Sequence, residues 1–116
     1  MSSSSFFKPD QGERVLLTED CSEDKLRSGI LILTNRRLVF QKTEGRMATL
    51  SKKEGEIALD IPLSQIASVR AEGFLVKKFV IITSAAQGGQ TYKFGVFSNR
   101  QWEKQFKQAQ QQSAAS

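Results

Sequence analysis

The chain has no histidine and only one cysteine among its 116 residues. Without histidine, the side chain that most often does general acid–base work near neutrality is missing. The lone thiol, Cys21, has no second cysteine in the chain to pair with and no histidine to activate it. It also stands among Glu19, Asp20, Glu23 and Asp24, whose charge opposes thiolate formation. Those four carboxylates lack the alternating ligands, central glycine and terminal glutamate of a calcium loop, so a solvated acidic turn, and no metal site, is expected there. No glycine-rich loop stands ahead of a helix to cradle phosphate. Taken together, these absences argue against an enzyme and against a bound cofactor.

Long apolar runs are also missing. The longest span four residues, Ile30 to Leu33 and Phe79 to Ile82, against the ~20 needed to cross a bilayer as a helix. The N-terminus, Met-Ser-Ser-Ser-Ser, lacks the apolar stretch of a secretory signal. With the single cysteine, this gives the expectation of a cytoplasmic protein, with peripheral membrane attachment open. Proline occurs twice, and Pro62 can stand only at a strand end or along an edge.

What is present suits one globular domain. Hydrophobic residues make up 39% and charged residues 25%, a balance that supports a packed core. The net charge of +5 favours acidic partners without specifying a fold. Residues 1–11 are Ser-rich and read as a disordered arm, and residues 111–116 as a disordered tail. Between them, residues 12–110 alternate as strands do. Arg14 to Thr18 opens the series, and Glu19 to Ser28 reads as an acidic turn. Ile30 to Thr34 and Leu38 to Gln41 form a hairpin, and 42–56 is a long polar loop. Ile57 to Ile61, Gln65 to Ala71, Lys78 to Ser84 and Thr91 to Val96 complete seven strands, with Gln87 to Gln90 as a turn.

The period then changes. Ser98 and Gln101 are spaced as a capping box. Trp102, Phe106 and Ala109 recur on one helical face, with Glu103 and Lys107 as an i, i+4 pair on another. A curled seven-stranded sheet leaves an open end, and a helix carrying Trp102 and Phe106 plugs it. The fold class expected is mainly β (α+β), a seven-stranded barrel or sandwich closed by one C-terminal helix.

Gly12-Glu13-Arg14-Val15-Leu16, followed by Gly29-Ile30-Leu31-Ile32-Leu33-Thr34-Asn35-Arg36-Arg37-Leu38-Val39-Phe40, resembles the opening of GRAM domains and related pleckstrin-homology (PH)-like domains. Their G-E-x-V-L strand precedes a G-x-L-x-L-T-N-x-R-L-x-F hairpin. Ile61-Pro62-Leu63-Ser64-Gln65-Ile66-Ala67-Ser68-Val69 is similar to the I-P-L-x-x-I-x-x-V that follows. Tyr92-Lys93-Phe94 and Trp102 match the last strand and closing helix. The likeness runs from Gly12 to about Ala109, and the GLUE variant of the PH fold has a similar hairpin. The resemblance implies two near-orthogonal antiparallel sheets with a capping helix, and lipid or protein binding inside larger assemblies. The basic set of phosphoinositide-binding PH domains is represented here only by Lys25 and Arg27, beside the four carboxylates. Arg36 and Arg37 match the hairpin arginines of the pattern, with Arg37 expected to pair across strands.

The candidate lipid-binding residues are Lys52 and Lys53 in the long loop, Phe74, Leu75, Lys77 and Lys78 in and after Gly73 to Lys78, and Lys25 with Arg27. Two dispositions of Phe74 to Val76 are open: exposed, with Phe74 and Leu75 meeting an anionic membrane interface beside the lysines, or packed into the barrel with the lysines solvated. The rival to anionic lipid is a protein partner, a peptide or ubiquitin-like domain, added along a strand edge near Ile66 to Ala71. Nucleic acid is disfavoured, because the aromatics alternate as core residues and do not interleave with Lys and Arg. The isolated domain is expected to be monomeric.

Overall fold

The computed structural model describes residues 7–43 and 54–115. Seven strands and one helix follow in order: β1 (Val15–Glu23), β2 (Arg27–Thr34), β3 (Arg37–Thr43), β4 (Glu54–Pro62), β5 (Ile66–Glu72), β6 (Lys78–Thr83), β7 (Thr91–Gly95) and α1 (Asn99–Ala115). Single 3-10 turns at Leu63–Gln65 and Ala85–Gln87 lead into β5 and β7. All pairings are antiparallel, in the spatial order β4-β3-β2-β1-β7-β6-β5. The two halves, β1–β4 and β5–β7, are joined by a short β1–β7 pairing at Ser22–Gly95 and Glu23–Phe94.

Alternation turns one side of each strand toward the core, while Ile32, Val39 and Val80 on the other side are buried as well. Leu31 faces Phe40, Leu33 faces Leu38, and Phe79 faces Phe94 across their ladders. These residues join Ile61, Leu63, Ile66, Val69, Ile81 and Val96 in one core. α1 closes it: Trp102 and Phe106 are buried, with Phe79 ring centroids 5.7 and 6.1 Å away. Gly29 is required by this packing. A Cβ there would lie 2.6 Å from both the Gln41 carbonyl and the Phe40 ring, so the hairpin glycine and the Phe40 ring are matched to each other.

Several sequence expectations change. The stretch Glu19 to Ser28 is not a solvated turn. β1 runs to Glu23, β2 starts at Arg27, and only Asp24 to Leu26 turn. The carboxylates make this possible by accepting backbone bonds. Glu23 takes the N–H groups of Lys25, Leu26 and Lys93 at 2.8, 2.9 and 2.9 Å. Gln65 belongs to a 3-10 turn and not to β5. The loop expected over 42–56 is shortened at both ends, since β3 reaches Thr43 and β4 starts at Glu54.

Both ends of the domain also extend further than expected. Residues 7–11 of the arm are held on the sheet. Phe7 N–H donates to Gln41 Oε1 at 3.2 Å, Arg37 and Arg36 donate to the Lys8 and Gln11 carbonyls, and the Arg37 guanidinium sits 5.0 Å from the Phe7 ring centroid. At the other end, α1 continues to Ala115 through the segment expected to be a disordered tail. The Gln110 amide anchors that turn by donating to the Leu63 and Ile66 carbonyls at 2.8 and 2.9 Å. The helix start also differs from a capping box, because Gln101 N–H donates to the Ser98 backbone carbonyl and not to its hydroxyl.

Candidate functional site

The polar residues of the GRAM-like pattern gather at one place. Glu13, whose side chain is fully buried, accepts from Arg37 Nε at 2.8 Å, Arg37 Nη2 at 2.9 Å and Thr34 Oγ1 at 2.6 Å. Arg37 also reaches Asp60 on β4 at 2.8 Å. Asn35 Oδ1 accepts from Arg14 N–H. A forked guanidinium on a buried carboxylate is a strong, directional contact, and hydrogen bonds from Arg37 above all hold the Glu13 carboxyl down to about 2. Arg37 thus pairs across strands, with its guanidinium bonded to Glu13, Asp60 and the Lys8 carbonyl. Cys21 is inert: burial first, then Glu19 and Asp20, push its thiol up to about 12.

The exposed features lie elsewhere. Between β5 and β6, Phe74, Leu75 and Val76 are 78%, 96% and 69% exposed, and Lys77 is exposed beside them. These residues therefore do not pack into the barrel. Gly73 makes the turn, with φ +89°, and a Cβ there would collide with the Val76 carbonyl. The loop's base is fixed from outside by the buried Asn99, whose Nδ2 donates to the Glu72 carbonyl at 2.9 Å and the Lys78 carbonyl at 3.2 Å. Asn99 thereby ties the start of α1 to both stems of the loop. Two residues earlier stands Phe97, 83% exposed, its N–H held by Glu19 Oε2 at 2.7 Å. The other Glu19 oxygen accepts from Trp102 Nε1 at 2.9 Å. One carboxylate thus positions both the sealing ring and the exposed one.

The β1–β2 turn comes to the same β6 stem. Lys78 Nζ pairs with Asp24 Oδ1 at 2.9 Å, so Lys78 is engaged within the domain. Asp24 N–H also donates to the Lys93 carbonyl at 3.3 Å. The Lys25 ammonium lies 4.9 Å from the Tyr92 ring centroid, an arrangement a cation favours. Arg27 is exposed and adopts φ 72°, the left-handed residue that closes a three-residue hairpin turn. Beside it, Ser22, Glu23, Asp24, Arg27 and Ser28 line an open polar cleft of about 410 Å³.

Of the candidate lipid residues, then, Lys78 stands between the two remaining sets, Lys25 with Arg27 and Phe74, Leu75 and Lys77. Lys52 and Lys53 lie outside the described residues. Sequence reasoning missed Phe97 and Asn99. The signal for Phe97 existed: Tyr92, Phe94 and Val96 share one side of the strand register, so Phe97 falls off it. Asn99 had no such signal, because its partners are carbonyls 27 and 21 residues earlier.

β4 and β5 are the edges of the sheet. α1 already serves part of the β5 edge: Glu103 Oε1 accepts from Ala71 N–H at 3.3 Å, and Gln110 takes the Ile66 carbonyl.

No protein-family model and no curated protein sequence matches the chain. Solved structures do match. The N-terminal PH domain of Vps36 superposes with a TM-score of 0.66 at 14% identity, over 99% of this chain and 92% of that one. The fold is PH-like. A likeness at this identity carries architecture and leaves the site to be argued from its own residues.

Proposed function

We propose that this PH-like domain is a non-enzymatic module that associates weakly with anionic membrane surfaces through the β5–β6 loop and the basic residues beside it. The observation that carries this reading is the exposure of Phe74, Leu75 and Val76 next to Lys77, on a loop whose two stems are pinned by Asn99. Large apolar side chains at a fixed tip, with cations at their base, suit the boundary between acyl chains and anionic headgroups. Phe97 adds a fourth large apolar side chain at the adjoining start of α1.

Magnitudes keep the affinity modest. A basic residue near an anionic surface contributes ~1 kcal/mol. With Lys78 held by Asp24, Lys25, Arg27 and Lys77 together reach only several millimolar affinity. Partial burial of Leu75 and Phe74 adds roughly 2 kcal/mol, bringing the domain to about 0.2 millimolar. A second attachment in a larger assembly would then set residence on the membrane.

Co-sedimentation with vesicles tests this. Wild type should partition onto vesicles containing phosphatidylserine or phosphoinositide, release as salt rises, and ignore phosphatidylcholine vesicles. Leu75→Glu and Lys77→Glu should each weaken binding about fivefold or more. Equal sedimentation of wild type and the Leu75→Glu, Lys77→Glu double variant would reject the site.

A protein partner added along β5 is the second reading, favoured by that strand's position at the sheet edge. The occupation of Ala71 N–H and the Ile66 carbonyl by α1 leaves less of that edge to pair. A peptide or ubiquitin-like partner whose binding survives moderate salt and the Leu75→Glu substitution would favour it.

A further inference from the structure

Asp24 is a carboxylate surrounded by lysines. It is bonded to Lys78 at 2.9 Å on one side, its backbone N–H is bonded to the Lys93 carbonyl, and Lys25 follows it in the turn. Alternation places Lys78 and Lys93 on the outer face of the sheet, opposite the buried Phe79 and Phe94. Arg27 lines the adjoining cleft with Asp24 itself. Glu23, the other carboxylate there, is buried and spends its oxygens on three backbone N–H groups. Four cations, Lys25, Arg27, Lys78 and Lys93, therefore stand against Asp24, Glu23 and Glu72, the last opposite Lys78 on β5 and paired with Arg70. The Asp24 side chain is still 54% exposed, so an external anion can reach the place it occupies.

We propose that Asp24 is an internal occupant of an anion site: it holds Lys78 in the absence of ligand, and a phosphate-bearing anion binds by displacing it from that lysine. This rests on the reading of the same surface as an anionic-membrane contact and supplies its regulation. The Lys78 bond, with the field of Lys93 and Lys25, also holds the Asp24 carboxyl below the usual carboxylate range, so Asp24 remains a charged competitor at neutral pH. A phosphate monoester carries more charge than one carboxylate and three acceptor oxygens, so it can serve Lys78 and a second cation together, which Asp24 does not. The competition makes the resting domain a weaker anion binder than its lysine content implies. It also selects for polyvalent headgroups, because a single weak charge gains nothing by replacing Asp24.

The test is a set of variants, each confirmed as folded by its thermal melt, titrated with phosphatidylinositol-phosphate vesicles and, separately, with inorganic phosphate. Asp24→Asn should bind the vesicles about fivefold more tightly than wild type, one basic residue's worth at an anionic surface. Asp20→Asn, which removes the same charge four residues away on β1, should change binding less than twofold. In a Lys78→Gln background, Asp24→Asn should give no gain, since the lysine it would release is absent. If wild type binds in a salt-sensitive way but Asp24→Asn binds no better, or Asp20→Asn gains as much, the internal-occupant proposal is overturned while the membrane reading stands. If neither wild type nor Asp24→Asn binds vesicles, both fall. Amide shifts at Asp24, Lys25 and Lys78 with inorganic phosphate alone would identify a free anion as the ligand, and shifts only with vesicles would identify the lipid headgroup.

Discussion

Glu13 and Arg37, 24 residues apart, form a forked ion pair in which both guanidinium donors lie within 2.9 Å of a fully buried carboxylate. The pair fastens the entry of β1 to the start of β3, and Arg37 carries the link on to Asp60 of β4. Removing the charge of Glu13 leaves a mostly buried guanidinium without its main partner. Glu13→Gln is expected to cost about 3 kcal/mol of stability, read from urea denaturation at neutral pH.

The same pair sets the acid limit of the fold. Because the Glu13 carboxyl is lowered from 4.5 to about 2 in the folded state, its contribution is fully present above the unfolded value and is lost as pH falls from about 4.5 towards 2. That lowering corresponds to roughly 3 kcal/mol, matching the substitution estimate. Asp24 and Glu103, both lowered by lysine partners, add to the loss in the same direction. Wild type should lose stability steeply across this window, and Glu13→Gln should show a visibly shallower slope.

Much of this fold was legible in the sequence because alternation and helical period report burial directly. Leu31, Leu33, Leu38 and Phe40 showed their faces, and so did Trp102, Phe106 and Ala109. Polar residues were harder to read. Glu19 and Glu23 look like a solvated acidic run, yet one carries Trp102 Nε1 and the other caps a turn, through partners up to 83 residues away. Composition does not encode such distant acceptors. The exposed tip Phe74 to Val76 was visible as an apolar cluster in a loop, but only its three-dimensional setting removed the choice between core and surface.

The sealing helix gives a further prediction. Phe106 is fully buried against Phe79, so Phe106→Ala should cost ~3–5 kcal/mol. Lys104→Ala, at an exposed position on the same helix, should stay within about 0.5 kcal/mol of wild type. Paired thermal melts check both.

Arg27 occupies a left-handed conformation that costs a side-chain-bearing residue about 1 kcal/mol. Arg27→Gly should therefore leave the domain as stable or slightly more stable, while weakening binding to anionic vesicles by the loss of one charge. Stability moving up as binding moves down would separate the two roles of this residue.

Cys21 should resist modification. Its raised thiol predicts negligible reaction with a disulfide reagent at neutral pH in the native state and rapid reaction after unfolding.

The most direct test of the membrane account is the depth of the β5–β6 tip. In a Cys21→Ala background, a nitroxide at Leu75→Cys should gain contact with bilayer-dissolved oxygen and lose contact with a water-soluble relaxing agent when anionic vesicles are added. A nitroxide at Ala86→Cys, exposed between β6 and β7 at the far end of β6, should stay in water. A domain that sediments with the vesicles while its Leu75 label remains as wet as before would contradict the account.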